Sequence, residues 1–302
     1  DKACGEGLMP DALRLLHAVD VDPDGVPISG IHYLDGRRGA RALFSAGPGR
    51  GVRRTTLVMA LQERARDLGA EIRPCTVGSV HQDGSQVTAA GVRARYLVAA
   101  DGLHSSVRQQ LGLQRAARGP RRYGLRQHFR VAPWTDLVEV HWTPEAEVYV
   151  TPVAPDVVGV AVLGARPMSF HPAVAAAPAL VERLGDATSA SRLMGAGPLR
   201  QRTSARTSGR VLLVGDAAGY VDALTGEGLR LGFAEAEAAV AAVAADDPGR
   251  YERDWRQITR SYRLLTHGLL AAATLGTTRP GIIPVAARWP WAFGRVVDAL
   301  AG

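Results

Sequence analysis

Residues 209–233, which read GRVLLVGDAAGYVDALTGEGLRLGF, constrain the fold of this chain more than any other segment. The apolar run 211–214 is typical of a buried strand, and it leads directly into Gly215 and Asp216. An acid at the carboxyl end of a strand in an open α/β sheet lies at the crevice where such sheets bind ligands. The helix predicted to follow offers free backbone N–H groups and the positive end of its dipole. The segment therefore predicts a site for a ligand that carries hydroxyl and phosphate groups.

A second apolar run ends in a similar way. Residues 92–100 lead into Asp101 and Gly102, and a short helix is predicted to follow as far as Leu111. A single Asp-Gly pair after a strand is a common turn and carries little information about function. Two apolar strands that each end in an acid beside a glycine are much more specific than either one alone.

The rest of the chain alternates between helical and strand-like patterns. Apolar spacing and the positions of Gly and Pro predict helices over residues 11–18, 50–69, 172–184, 227–245 and 248–275. Strands or hairpins are predicted over residues 26–45, 70–77, 124–131, 137–142, 147–153 and 157–163, with a further hairpin turn at 83–84. The predicted order is therefore α/β, an antiparallel sheet insert, α/β again, and then helices.

The basic charge balance does not by itself indicate a nucleic-acid partner. The net charge is +7, and Lys2 is the only lysine, so 35 of the 36 basic residues are arginine. This bias is typical of a GC-rich coding preference, and the arginines are scattered, with their densest patch at 115–122. Since no nucleic-acid-binding motif accompanies them, we expect a small-molecule substrate and no nucleic-acid partner.

Cysteine usage and hydropathy bear on the location of the protein. Cys4 and Cys75 provide no disulfide framework, so a reducing cytoplasm is the expected location. No run of 18 uninterrupted apolar residues, no signal peptide and no metal-ligand pattern is visible. The apolar tail 268–302 contains Trp289 and Trp291. We expect it to pack on the domain and line a substrate tunnel, with association at a membrane surface as the weaker alternative.

Several motifs, in the right order, resemble the FAD-dependent monooxygenase superfamily. Residues 96–108, YLVAADGLHSSVR, resemble its DG fingerprint, in which an acid and a glycine precede S-x-V-R. Residues 215–218, GDAA, resemble its GD fingerprint. The continuation TGEG at 225–228 and the sequence CGEG at 4–7 are similar to the geranylgeranyl reductase branch. Arg54 opens an R-T-T-L sequence that resembles the R-x-x-L helix start that contacts FAD in this superfamily.

The resemblance implies FAD as the cofactor and NAD(P)H as its electron donor. Asp216 would bond the ribityl chain, and the backbone of residues 226–229 would lie near the pyrimidine side of the flavin, where a helix N-terminus stabilises negative charge. Asp101 and Gly102 would lie near the flavin and its pyrophosphate. The full cofactor-binding set implied in this way is Arg54, Asp101, Gly102, Gly215, Asp216, Ala217, Gly226, Glu227, Gly228 and Leu229.

Some of these residues also have a purely structural interpretation. Arg54 either binds flavin or phosphate, or starts a surface helix. Glu227 is either a site residue or an ordinary acid in the first turn of a helix. Cys4 is more readily a packed thiol than a redox group, because no CxxC pattern accompanies it.

The implied fold is α/β with an α+β insert. It comprises an FAD/NAD(P)-binding Rossmann-like domain, an antiparallel β-sheet substrate domain and C-terminal helices. We expect the FAD-binding domain to contain residues 1–27, 46–122 and 200–302, and the substrate domain to contain residues 28–45 and 123–199. The family pattern begins with a strand, G-x-G-x-x-G and a helix, which are not found here. We therefore expect an amino-terminally truncated chain that lacks this βαβ unit.

The expected activity is an NAD(P)H-using monooxygenase that hydroxylates a small aromatic or polyketide-like substrate. One alternative is a geranylgeranyl reductase-like enzyme that reduces C=C bonds of an isoprenoid. The alternative from another class is a non-catalytic fragment or binding protein that has lost FAD. No residue is singled out as catalytic, because the flavin carries the chemistry. Residues expected to line the substrate site are Gln127, His128, His141, Trp142 and Tyr149, with the strand faces left open.

Overall fold

The computed structural model describes residues 1–36, 38–165, 169–274 and 279–301. Its α-helices are α1 Pro10–His17, α2 Arg54–Asp67, α3 Ser106–Gln110, α4 Phe170–Ala175, α5 Pro178–Leu184, α6 Gly228–Ala244, α7 Pro248–Thr274, α8 Ile282–Arg288 and α9 Pro290–Ala301. Its strands are β1 Gly7–Leu8, β2 Val26–Ile28, β3 Gly30–Leu34, β4 Gly39–Leu43, β5 Gly49–Gly51, β6 Val80–Gln82, β7 Val87–Ala89, β8 Val92–Ala94, β9 Leu97–Ala99, β10 Gln114–Arg115, β11 Tyr123–Arg130, β12 Leu137–Trp142, β13 Ala146–Ala154, β14 Val157–Gly164, β15 Met194–Ala196, β16 Arg202–Thr203, β17 Thr207–Ser208 and β18 Val211–Leu213.

The largest sheet has seven strands in the order β15-β11-β14-β13-β12-β3-β4. Its neighbours pair antiparallel except for β12 and β3, which are parallel. Alternating apolar residues, including Val148 and Val160, pack on Phe170 and Leu180 of α4 and α5. The opposite face of the sheet is thereby left to meet the ligand-binding part of the chain. This arrangement confirms the mixed α/β fold class with an antiparallel sheet and C-terminal helices.

A small sheet in the order β17-β18-β9 positions the two sequence motifs. β18 and β9 pair in parallel, with Leu212 opposite Val98. The three residues of β18 are fully buried, and α6 and α7 cover them with Ala239, Ala242 and Tyr251. Because parallel strands end at the same edge, the DG and GD motifs emerge side by side. The single strand predicted over residues 92–100 is wrong, since β8 and β9 belong to different sheets.

The strand predicted over residues 70–77 is wrong. Most of this segment is exposed and none of it pairs with another strand; the first strand after α2 begins at Val80. Glu71 and Arg73 form an ion pair at the surface, and Pro74 lacks the N–H group that a sheet ladder needs. The segment therefore runs along the surface, with Val77 packed against the core around β18.

Two predicted helices also need adjustment. The helix predicted over residues 172–184 is two short helices, because Pro178 starts α5 and cannot continue the hydrogen bonding of α4. The helix predicted over residues 50–69 begins only at Arg54, because residues 49–51 form β5. Leu57 of α2 is buried, whereas Leu68, just after the helix, is 68% exposed.

The C-terminal helices pack against the edge of the large sheet. Phe293 and Val297 of α9 are buried beside β4, and the ring of Phe293 lies 5.2 Å from that of Tyr33. Trp289 and Trp291 lie on the surface. No helix in the described ranges is long and apolar enough to cross a bilayer.

Gly51 of β5 provides a test of this architecture. A Cβ atom at Gly51 would lie 1.6 Å from the carbonyl oxygen of Pro152 in β13, so Gly51→Ala must force the two strands apart. We expect a loss of about 3 kcal/mol in the free energy of unfolding, measured by urea denaturation. Gly78→Ala is the matched control, because a Cβ atom there meets nothing within 4 Å. Equal stability of the two variants would contradict the close approach of β5 and β13.

Candidate cofactor-binding site

Asp101 and Asp216, the acids of the DG and GD motifs, differ in the hydrogen bonds that their carboxylates make. Asp101 accepts a hydrogen bond from the backbone N–H of Val107 at 3.1 Å and one from the hydroxyl of Ser106 at 3.4 Å, so it fixes the start of α3. The carboxylate of Asp216 has no hydrogen-bond partner among the described residues and is half-buried. Asp216 is therefore the acid that remains available to a ligand.

Arg108 joins the two motifs and was not among the predicted site residues. Its buried guanidinium donates to the carbonyl oxygens of Asp216 at 3.2 Å and Ala217 at 3.0 Å. It also donates to the carbonyl oxygen of Leu103 at 2.8 Å and to the side chain of Gln201 at 3.1 Å. One side chain thus holds together α3, the loop of residues 101–105 after β9 (the DG loop) and the loop of residues 215–221 after β18 (the GD loop). The S-x-V-R part of the DG motif contained the signal.

Cations surround the carboxylate of Asp216. Burial raises its pKa above the ordinary value, while the positive charges of Arg54, Lys2 and Arg108 act in the opposite direction. Lys2 lies close to the DG loop, since a Cβ atom at Gly102 would be 3.2 Å from its Nζ. Lys2 was not predicted as a site residue, although it lies only two residues before the CGEG motif. The result is a cleft with one free carboxylate and three positive charges.

The CGEG segment is anchored by Glu6, another residue that sequence reasoning missed. Glu6 accepts from the backbone N–H of Arg54 at 2.9 Å, which caps α2, and its other oxygen bonds Nε2 of His128 in the large sheet. Nδ1 of His128 lies 2.8 Å from the hydroxyl of Ser191. Burial raises the pKa of the Cys4 thiol, which fits a packed thiol. Through its bonds to the start of α2 and to the large sheet, Glu6 therefore positions Arg54.

The start of α6 presents backbone groups rather than a capping side chain. Gly226 has a φ of 71°, and the N-cap residue Glu227 makes no capping hydrogen bond. Glu227 pairs with Arg230 through Oε2, whereas its buried Oε1 has no partner in the described part of the chain. Burial raises the pKa of Glu227. The leading N–H groups around Gly228 and Leu229 remain available to an acceptor.

Gly215 shows why the GD loop requires glycine. Its φ of 60° lies in the left-handed region, and its backbone N–H donates to Oε2 of Glu235 at 2.7 Å. Glu235 is buried on α6, and burial raises its pKa to about 8. Ala217 is fully buried beneath the loop. The carboxyl group of Glu235, which is protonated at neutral pH, thus holds the backbone of the GD loop against α6.

Strand register separates the five candidate lining residues. His128, Trp142 and Tyr149 lie on the sheet face that meets the cofactor side, where the hydroxyl of Tyr149 donates to the carbonyl oxygen of Leu224 at 3.4 Å. Gln127 and His141 lie on the opposite face and bond Ser191 and Glu139.

A buried ionic network lies beside Tyr149 and Trp142. Glu147 pairs with Arg122 and with Arg279, the latter at 2.6 Å. Nε of Arg122 also lies 3.4 Å from Asp222. Two arginines and two acids balance one another, so this wall of the site has no net formal charge. No local sequence pattern marks these residues.

A family model described as FAD binding domain matches residues 33–250, which is more than half of the chain. The chain therefore belongs to the FAD binding domain family, with FAD as its cofactor. The free acceptor at Asp216, the surrounding cations and the open start of α6 fit a ligand that carries hydroxyl groups, phosphates and an electron-accepting ring.

Individual proteins are similar to this chain in sequence or in fold. Dialkyldecalin synthase of Streptomyces rugosporus is 34% identical over 196 residues, which make up 58% of this chain and 42% of that protein. The chain thus spans less than half the length of this curated relative. A flavoprotein/dehydrogenase from Cytophaga hutchinsonii has a similar fold, with a TM-score of 0.83, 15% identity, and coverage of 100% of this chain and 84% of that one. The Diels-Alderase PyrE3, from the biosynthetic pathway of pyrroindomycins, has a TM-score of 0.74, 21% identity, and coverage of 97% and 71%.

Replacing Glu235 by glutamine should flatten the pH dependence of stability. Its pKa is about 8 in the folded protein against an ordinary value of 4.5, so the folded protein holds an extra proton between these values. The contribution of Glu235 is therefore fully present below the lower value and is lost as the pH rises through the upper one. Glu235→Gln keeps an acceptor for the Gly215 N–H group and removes the loss.

The measurement is urea unfolding at about pH 5.5 and about pH 8.5. Between these conditions the variant should lose less stability than the wild type. Glu237→Gln, an exposed change on the same helix, should retain the wild-type difference. An unchanged pH dependence in Glu235→Gln would refute the raised pKa.

Proposed function

We propose that this protein is an FAD-dependent monooxygenase that takes electrons from NAD(P)H and hydroxylates a small aromatic or polyketide-like substrate. The observation that carries the proposal is the Asp216 carboxylate, which has no partner among the described residues and lies among three cations. A site that stabilises negative charge on a bound redox cofactor suits oxidation chemistry better than simple ligand storage.

The predicted cofactor contacts follow from this arrangement. Asp216 would accept hydrogen bonds from the ribityl hydroxyls, with Gly215 and Ala217 shaping the loop beside it. Arg54 would bind flavin or phosphate, and Asp101 and Gly102 would line the same cleft. Lys2 and Arg108 would add positive charge near the phosphates.

The start of α6 would serve the pyrimidine end of the flavin. The backbone N–H groups of residues 226–229 would donate to its oxygen and nitrogen atoms, and the helix dipole would favour negative charge there. FAD supplies two-electron redox chemistry when bound. Glu227 would help to fix this turn through Arg230.

The substrate would lie between the cofactor and the sheet face that carries Trp142 and Tyr149. The indole Nε1 of Trp142 is buried and has no partner in the described ranges. An unpaired buried donor is costly, so this N–H group supports a polar oxygen on the substrate. Tyr33 and Leu224 would provide apolar surface around it.

A second candidate function is a redox-neutral cyclisation of a polyene chain. The specific observation in its favour is the 34% identity to dialkyldecalin synthase. In that case FAD would serve as a fixed wall of the site, and the apolar sheet face would hold the folded chain. A C=C reductase, which the TGEG sequence suggests, is a third possible outcome of the same experiment.

Asp216→Asn should weaken FAD binding about tenfold or more, because a hydrogen bond to a charged group contributes about 1.5–3 kcal/mol. Binding is measured by quenching of flavin fluorescence during titration with FAD. Asp186→Asn, at an exposed acid far from the motifs, is the control. Unchanged FAD affinity in Asp216→Asn, with the fold intact by circular dichroism, would remove the basis of the proposal.

The reaction class is tested with FAD-loaded protein, NAD(P)H, and a panel of aromatic and linear polyene substrates. Hydroxylation consumes one NAD(P)H, one proton and one O₂ per product, releases water, and adds one oxygen atom to the substrate. Oxygen uptake and product mass are recorded together. A product of unchanged mass formed without NAD(P)H would replace the proposal with cyclisation, and a gain of two hydrogens without O₂ would replace it with reduction.

A further inference from the structure

A cavity of about 110 Å³ lies against the GD loop, and none of the predicted FAD contacts is among its lining residues. It is several times larger than the roughly 10–15 Å³ that one water molecule needs. We name it the arginine pocket; its lining residues are Arg200, Gln201, Arg202, Thr203, Arg206, Ala218, Gly219, Tyr220, Val221, Arg263 and His267.

The charge of the arginine pocket is strongly one-sided. Four arginines line it, and no carboxylate does among the residues that the structure describes. Arg206 is neutralised from behind by Glu252, with the closest atoms 2.5 Å apart. For Arg200, Arg202 and Arg263, no described carboxylate forms an ion pair. Three guanidinium groups therefore converge on one cavity without a counter-charge.

His267 orders the pocket without balancing its charge. Its Nε2 lies 2.9 Å from a guanidinium nitrogen of Arg200, and its Nδ1 lies 2.7 Å from the carbonyl oxygen of Arg263. These partners require Nε2 to accept and Nδ1–H to donate, which is the neutral ring. Burial, followed by the charges of Arg200 and Arg263, lowers its pKa in agreement. Arg200 is thus held in place by an uncharged acceptor.

The pocket is also built on rigid parts. The guanidinium of Arg206 lies 4.0 Å over the ring of Trp255, and that of Arg263 lies 5.3 Å from it. Gln201 and Tyr220 exchange backbone hydrogen bonds of 2.9 and 3.1 Å, which join the segment just before β16 to the GD loop. Arg200, Arg206 and Arg263 are therefore arranged in advance of any ligand, which reduces the ordering cost of binding, whereas Arg202 is exposed and donates to the carbonyl oxygen of Ala116 at 3.4 Å.

We propose that the arginine pocket binds a phosphate group carried by a small molecule. Arginine favours phosphate because its planar fork donates two parallel hydrogen bonds to two oxygens. The pocket differs from the proposed FAD site, since neither Arg54, Asp101 nor Gly226 lines it. The proposal is independent of the reaction class. The phosphate belongs either to a nucleotide, such as the 2′-phosphate of NADPH, or to a phosphorylated substrate or effector.

The test is isothermal titration of FAD-saturated protein with inorganic phosphate at constant ionic strength. We expect saturable binding at one site, weakened at least tenfold by Arg263→Gln and by Arg200→Gln. Arg260→Gln removes an equal charge from an exposed position on the same helix and should bind like the wild type. Constant ionic strength separates site binding from general screening of a basic surface.

Adenosine 2′,5′-bisphosphate then distinguishes the two sources. Displacement of bound phosphate by this compound supports the pocket as a site for a nucleotide phosphate, and failure to displace it supports a phosphate ester of another kind. The proposal is overturned if the wild type does not bind phosphate, if all three variants bind it equally, or if phosphate displaces FAD.

Discussion

The buried guanidinium of Arg108 is the interaction on which the arrangement of the site depends. It donates to carbonyl oxygens of the DG loop and of the GD loop, and to the side chains of Gln114 and Gln201. Leaving buried hydrogen-bonding groups of this kind without their partner costs about 1–3 kcal/mol each. Without it, two strands that end at the same edge would still be adjacent. The loops after them would have no fixed separation, and the cleft between them would have no defined width.

All acceptors of Arg108 are neutral oxygens, and this has an electrostatic consequence. The charge of Arg108 is solvated by dipoles but not cancelled, so it adds to the charges of Lys2 and Arg54 around Asp216. The three cations outnumber the two carboxylates, Asp101 and Asp216, that act on Arg108, and this excess of positive charge suits a ligand with phosphates. The same side chain also reaches Gln201, which lines the arginine pocket on the far side of the loop.

The sequence predicts those parts of the proposed site that are encoded locally. A buried strand followed by Asp and Gly is a continuous pattern, so Asp101, Gly215 and Asp216 could be predicted as cofactor contacts, whereas the parallel pairing that brings them close was not predicted. Lys2 was missed because no pattern in the sequence connects it with the two motifs. The Glu6–His128 bond was missed because 122 residues separate its two partners and no periodicity connects them. The faces of Trp142 and His141 depend on strand register, which pairing fixes and composition does not. The arginine pocket likewise combines Arg200 with Arg263, whose proximity only the packing of α7 creates.

The distribution of charge on the two sides of the GD loop explains how one site can separate its ligands. On the sheet side, the charges of Arg122 and Arg279 are balanced by Glu147 and Asp222, so a substrate beside Tyr149 meets a wall that is neutral overall. On the other side, three guanidinium groups have no carboxylate partner in the described chain. An anionic group loses less solvation free energy where it gains paired donors. If the two proposed sites are as assigned, a neutral, largely apolar substrate would be favoured at the sheet face and a phosphorylated ligand in the arginine pocket.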